Sequence, residues 1–175
     1  DIEIESYGVF AQATYDVSDR LTVEGGVRYD NFVYDVGASS PAFALPVGVR
    51  PGGSGSADDF TYNLGATFDL NENTTLFASY AQGFSIPFID FAVTTVAPGV
   101  SVRDTALVEP IVVDSYEIGV RGSRGIFDYA FAVFYADSEF GSSIQVNPDG
   151  TAELVRAPQR NYGFELMTSA QVRDD

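Results

Sequence analysis

Residues 60–87 read FTYNLGATFDLNENTTLFASYAQGFSIP. From Phe60 to Leu70 the chain alternates without a break. Phe60, Tyr62, Leu64, Ala66, Phe68 and Leu70 oppose Thr61, Asn63, Gly65, Thr67 and Asp69. A strict period of two marks a β-strand with two chemically different faces. The tight polar segment NENT follows. Then comes LFASYAQGFSIP, of strand length and crowded with Phe and Tyr near both ends, with Phe77 out of phase with Leu76 and Tyr80. Beyond it runs a long segment with no regular period. A strand entered through a tight turn and left through a long connection asks what lies at its two ends.

The same alternation recurs on both sides of this stretch. Leu21, Val23, Gly25, Val27 and Tyr29 oppose Arg20, Thr22, Glu24, Gly26, Arg28 and Asp30. Tyr116, Ile118 and Val120 oppose Ser115, Glu117, Gly119 and Arg121. Phe127 to Tyr135 alternates with Asp128, Ala130 and Ala132, Phe134 being an exception, and Tyr162, Phe164 and Leu166 oppose Asn161, Gly163 and Glu165. A weaker strand runs near Ile4 to Val17. The pattern predicts about seven strands, most about 10 to 15 residues long, against a usual mode of about 5 to 6. No stretch has a helical period.

The predicted connections are asymmetric. VSDR, NENT and GSRG are short turns. The segments 37–59 and 86–112 are long, and a third long connection around Asp137 to Arg160 is expected to hold its own hairpin, turning at Pro148-Asp149-Gly150. Short turns on one side and long loops on the other suit an up-and-down sheet with one functional end.

Composition narrows the chemistry. The chain has 175 residues, 45% hydrophobic and 19% charged, with a net charge of −16. That balance argues against nucleic acid, because no basic stripe is present to meet phosphates. Without Cys or His, the chain offers no disulfide scaffold, no thiolate zinc site and no histidine base, so no catalytic residue, metal ligand or cofactor site is assigned. No run of 18 or more apolar residues exists, so no transmembrane helix is expected.

Alternation alone leaves two media open for the apolar face. In a soluble sandwich it is the core, and in an outer-membrane barrel it meets lipid while the polar face lines the lumen. Three features favour the barrel. The polar face lacks Lys and is rich in Gly, Ala, Ser, Thr and Asn, with the charges Glu24, Arg28, Glu117, Arg121 and Glu165 among them. Aromatic residues cluster near strand ends, as in interfacial girdles. The strands reach the about 9 to 11 residues that a tilted strand needs to cross hydrocarbon. Within the polar face, Glu24 with Arg28 and Glu117 with Arg121 read as paired charges supporting register. Seven strands do not close a single-chain bacterial barrel, so further strands or a partner chain are expected at the edges.

Five segments in order resemble the barrel of TonB-dependent outer-membrane receptors: YGVFAQATYDVSDRLTVEGGVRYD, the 60–87 stretch, VEPIVVDSYEIGVRG, FDYAFAVFYADSEF and QRNYGFELMTSAQV. The family's pattern of a strand ending in GxRYD, a strand of the type LYASYSQGFxxP, a Y-E-x-G motif and a later R-x-x-G-x-E strand is met by Gly26 to Asp30, Leu76 to Pro87, Tyr116 to Gly119 and Arg160 to Glu165. The family's Pro-Glu order is reversed at Glu109-Pro110, so no role passes to that glutamate. The resemblance implies that residues 1–175 are part of one barrel domain in the bacterial outer membrane. It also implies a lipid bilayer around the domain, a plug and remaining strands elsewhere, a TonB energy-coupling protein as partner, and a large scarce ligand such as a ferric siderophore. Phe43, Arg50, Phe88, Phe91, Arg103 and Arg156 are the loop candidates for a ligand mouth, since Arg suits anionic ligands and rings can stack on them. The alternatives are a passive porin-type barrel and a soluble secreted β-sandwich binding module.

Overall fold

Each alternating stretch forms a strand, and the strands pair in the order in which they occur. The computed structural model describes residues 2–38, 52–85, 110–146, 148 and 152–172. It contains β1 (Ile2–Ser18), β2 (Leu21–Val36), β3 (Gly53–Asn71), β4 (Thr74–Ser85), β5 (Ile111–Arg124), β6 (Phe127–Val146) and β7 (Ala152–Ala170). They make one antiparallel sheet in the order β1-β2-β3-β4-β5-β6-β7. No helix occurs among the described residues.

The short turns lie at one end and are closed by local chemistry. The Ser18 hydroxyl accepts from the Arg20 and Leu21 amides at 3.3 and 3.2 Å. The Asn71 side chain accepts from the Asn73 amide at 3.0 Å. Side-chain oxygens that bond the backbone two or three residues on are what make Ser and Asn turn formers. Gly125 supplies the third turn with φ of +66°, where a Cβ would be strained.

Two expectations need correcting. The strands are longer than the sequence pattern suggested, up to 20 residues in β6. There is also no third long connection: β6 and β7 run on as one hairpin, paired as far as Val146↔Ala152. The reason is a register shift between Ser138 and Gly141. One extra residue in β6 reverses the phase of the alternation, so the strand beyond it does not read as a continuation. Pro158 does not disturb the β6–β7 ladder because its position turns away from β6. Gln171 donates to Ile126 at 2.9 Å, so odd positions of β7 face β6, and the amide that proline lacks would point away from it.

The register places one chemical type on each face. Leu64, Tyr80, Tyr116, Tyr135 and Tyr162 oppose one another across five strands. Ala78, Ile118, Val133 and Phe164 form the next row on that face, and Leu76, Val120, Phe131 and Leu166 the one after. Nothing among the described residues covers this face: Leu64 is 60% exposed and Leu166 68%. Among the described residues the sheet is one layer thick, which is not the β-sandwich whose core these residues would form.

The two aromatic residues that broke the alternation, Phe77 and Phe134, lie on the polar face. Each covers a glycine directly opposite it: Phe77↔Gly119 and Phe134↔Gly163. A Cβ built on Gly163 would sit 2.9 Å from the Phe134 ring, and one on Gly119 would collide with the Phe77 ring. Glu24 likewise fills the space over Gly65, and Asn63 that over Gly26. Large side chains on one strand therefore seat in gaps left by glycine on the next, which fixes register from the polar side.

Gly163→Val is expected to destabilise the folded barrel by about 1–3 kcal/mol through overpacking against Phe134. Gly83→Val serves as the control, since a Cβ there meets nothing nearer than 3.9 Å and stability should barely change. Urea unfolding of the barrel in lipid vesicles reads the difference. In the same assay Phe131→Arg should cost about 2–4 kcal/mol as a charge placed in hydrocarbon, whereas Ser79→Arg on the polar face should be tolerated. Equal costs for those two arginines would refute the assignment of faces.

Candidate functional site: a polar wall with a marked membrane boundary

The apolar face shows where its surrounding medium ends. Tyr80, Tyr116 and Tyr135 are opposed neighbours, with ring centroids 5.1 and 6.4 Å apart. One row nearer the long-loop end, the same face carries Gln82, Asp114, Asp137 and Arg160 in register. The Tyr80 hydroxyl donates to Asp114 Oδ1 at 2.7 Å, and Arg160 pairs with Asp137 at 2.8 Å. Rings pointing an apolar body one way and a bonded hydroxyl the other suit a hydrocarbon–water interface. At the short-turn end the Tyr129 hydroxyl bonds Thr74 Oγ1 at 3.1 Å. From Tyr135 to Phe127 the strand covers about 27 Å. At a tilt of about 40° that spans about 21 Å of membrane, somewhat less than the apolar band of about 25 Å expected of such walls.

The polar face holds all five charges the sequence assigned to it, but not in the expected pairs. Arg28 makes a two-pronged contact with Asp30, Nε to Oδ2 at 2.6 Å and Nη2 to Oδ1 at 2.7 Å. Among the described residues no ion pair joins Glu24 to Arg28 or Glu117 to Arg121. The reason is geometric: residues four apart in a strand lie about 13 Å apart, whereas residues two apart are same-face neighbours. Pairing at i and i+4 belongs to helices. Glu117 instead faces Ser79 and Phe134, Arg121 faces Thr75 and Ala130, and Glu165 faces Ala132.

Around these charges the polar face is hollow. One concavity of about 560 Å³ is bounded by Glu24, Thr67, Phe77, Ser79, Glu117 and Arg121. A second, about 450 Å³, lies nearer the short turns beside Arg121, Asp128 and Met167. A feature that sequence reasoning missed rims that end. Thr22, Thr75 and Ser169 donate to Asp16, Asp69 and Asp128 at 2.7, 2.7 and 3.4 Å, each pair directly opposed on the polar face. An Asp just before two of the turns and just after the third, each facing a hydroxyl on the strand beside it, was the available signal.

Of the loop candidates, Phe43, Arg50, Phe88, Phe91 and Arg103 lie outside the described residues. Arg156 does not sit on a loop. It is part of β7, opposite Ser142, and shares a face with Arg160 and the tyrosine row. Its Nη2 donates to the Pro110 carbonyl at 3.2 Å, so it braces β7 to the start of β5 on the outer side of the wall.

The family described as TonB dependent receptor-like, beta-barrel, matches residues 1–173. The chain belongs to that family. TonB-dependent receptors are transport receptors of the bacterial outer membrane, and that membrane is the medium the apolar face meets. The chain is 31% identical to the rhizobactin receptor of Rhizobium meliloti (strain 1021) over 94% of its length and 24% of the relative's. To the ferric aerobactin receptor of Klebsiella pneumoniae it is 29% identical, over 93% of this chain and 25% of that one. It thus spans about a quarter of the length of the curated relatives it matches. Two solved structures share the fold. The copper transporter OprC superimposes with a TM-score of 0.80 at 17% identity, over 99% of this chain and 28% of that one. The Serratia marcescens hemophore receptor HasR superimposes with a TM-score of 0.76 at 17% identity, over 97% and 32%.

A double-mutant cycle on this receptor wall tests the revised charge map. Combining Arg28→Gln with Asp30→Asn should give a measurable coupling in urea unfolding. Combining Arg28→Gln with Glu24→Gln should give none within error. The reverse result would restore the pairing expected from sequence.

Proposed function

We propose that this chain is part of the wall of an outer-membrane receptor that takes up a ferric siderophore, driven by energy delivered through TonB, with no catalytic step of its own. The observation that carries the reading is the match to siderophore receptors along nearly the whole chain, joined to a wall whose polar side is hollow and lined by small residues and carboxylates. On this reading residues 1–175 belong to one barrel domain. Strands beyond β1 and β7 pair with their edges, because unpaired backbone in hydrocarbon costs several kcal/mol per group. A plug occupies the hollow side, where Glu117 and Glu165 are placed to meet it. The long connections, with Phe43, Arg50, Phe88, Phe91 and Arg103, contribute to the ligand mouth outside the cell.

The names of the relatives supply the first ligands to try, ferric rhizobactin and ferric aerobactin. Cells whose sole siderophore receptor is the full-length protein should accumulate radioiron from one of them. Uptake should stop when TonB is deleted or the proton gradient is collapsed. Uptake that survives both treatments would point to the passive porin instead, and iron accumulation no higher than in receptor-free cells would rule out the siderophore reading.

A further inference from the structure

At the long-loop end the wall divides between β3 and β4. Pairing of these two strands stops at Asn63↔Ala81. β2–β3 continues unbroken to Val36↔Gly53, while β4–β5 continues to Ser85↔Ile111. The two arms stay in touch through Phe32 and Phe84, ring centroids 5.4 Å apart. Their facing backbones, however, are not paired among the described residues.

The direction of the free groups follows from one bond. The Asp69 amide donates to the Arg20 carbonyl at 2.8 Å, and the β2–β3 register does not shift from Leu21↔Phe68 onward. Odd positions of β3 therefore bond β2, and even positions turn away from it. Leu64, Ala66 and Phe68 spend those groups on β4. Ser54, Ser56, Asp58, Phe60 and Tyr62 face the split. One of these free donors has found a substitute: the Phe60 amide donates to the carboxylate of the preceding residue, Asp59 Oδ1, at 2.8 Å. A strand amide capped by its own neighbour's side chain fits an edge that has no partner strand among the described residues.

We infer that the Gly53–Tyr62 edge of β3 is a strand-addition site for an extended, basic polypeptide. Four donors and four acceptors along one line, the Phe60 amide being capped by Asp59 and the Tyr62 carbonyl facing Gln82 where the β3–β4 ladder ends, are matched by another β-strand and by little else. Natural edges that must stay empty carry charges, above all Lys, or Pro or a bulge; this one, GSGSADDFTY, has no Lys, Pro or register shift, and its charges are Asp58 and Asp59. Ser54, Ser56 and Asp58 are exposed and leave room on that face for the side chains of an incoming strand, while Tyr34 covers Gly55 on the other. Asp58 and Asp59 project to opposite faces, so a partner with cationic side chains on both faces is favoured, in a chain whose net charge is −16. The same charges disfavour a second copy, because two such edges pairing antiparallel would set carboxylate against carboxylate. That the split opens outside the cell rests on the orientation proposed above; the pairing itself does not.

The probe is a decapeptide of alternating Lys and Val, added to the intact receptor in detergent micelles, with residue-resolved amide exchange as the readout. Exchange at Ser54, Ser56, Asp58 and Tyr62 should slow by about tenfold or more, since a bonded amide exchanges only when its bond opens. The odd positions between them, already bonded to β2, should not change. Ser56→Pro removes only a donor that β2 does not use, so the receptor should fold and the slowing should vanish. The Lys–Val peptide N-methylated at alternate residues should produce no slowing on the unmodified receptor, a control that does not depend on the variant. The site is refuted by slow even-position exchange before peptide is added, by slowing that tracks receptor concentration instead of peptide, or by equal slowing with a Glu–Val decapeptide. Siderophore uptake is a separate readout and bears on neither result.

Discussion

A single-layer sheet has no interior. The apolar side chains that β1 to β7 leave exposed have to be covered by something other than the sheet itself, and Leu64, Phe131 and Leu166 show an uncovered face running across the strands. A soluble protein would fold a second layer over that face. Here the face is bounded instead by tyrosines whose hydroxyls reach Asp114 at one margin and Thr74 at the other. The medium that covers the face therefore has a defined thickness, as a bilayer does. The strand lengths, the end at which turns are short and the chemistry of the opposite face all follow from that constraint.

Because lipid is uniform along the wall, it cannot by itself say which residue of one strand lies beside which residue of the next. On the polar side, glycine supplies that information. Phe77 over Gly119, Phe134 over Gly163, Glu24 over Gly65 and Asn63 over Gly26 are each directly opposed pairs, and a slip by one residue would turn the large side chain to the other face. The polar face is thus both a hollow and a locking surface. Small residues there leave room for what the wall encloses, and the gaps they leave hold the strands in step.

What the sequence could tell followed from period two and its blind spots. Phe60 to Leu70 and Leu21 to Tyr29 announced their faces because alternation is local to each strand. Phe77 and Phe134 read as exceptions because their reason, a glycine across the ladder, is not local. The run of β6 past Ser138 was hidden by a bulge that reverses phase. Glu24 and Arg28 read as a pair because they share the polar face of one strand, but the same-face neighbour two residues from Arg28 is Asp30, which takes it. Arg156 looked like a mouth residue because the strand carrying it had been read as a loop.

The split between β3 and β4 shows how far the logic of the wall extends. Inside the membrane, pairing is obligatory, since each backbone group left unbonded in hydrocarbon is costly. Beyond the tyrosine row water can satisfy those groups, and the constraint lapses. β3 and β4 part within a few residues of that row, while each keeps its other partner. Where pairing is optional, a sequence is free to leave an edge open. The Asp59 carboxylate on the Phe60 amide occupies one edge donor from within the strand itself. An arriving strand must displace that carboxylate, and a cationic side chain is the group best suited to draw it away. The charge that shields the edge would then also select what joins it.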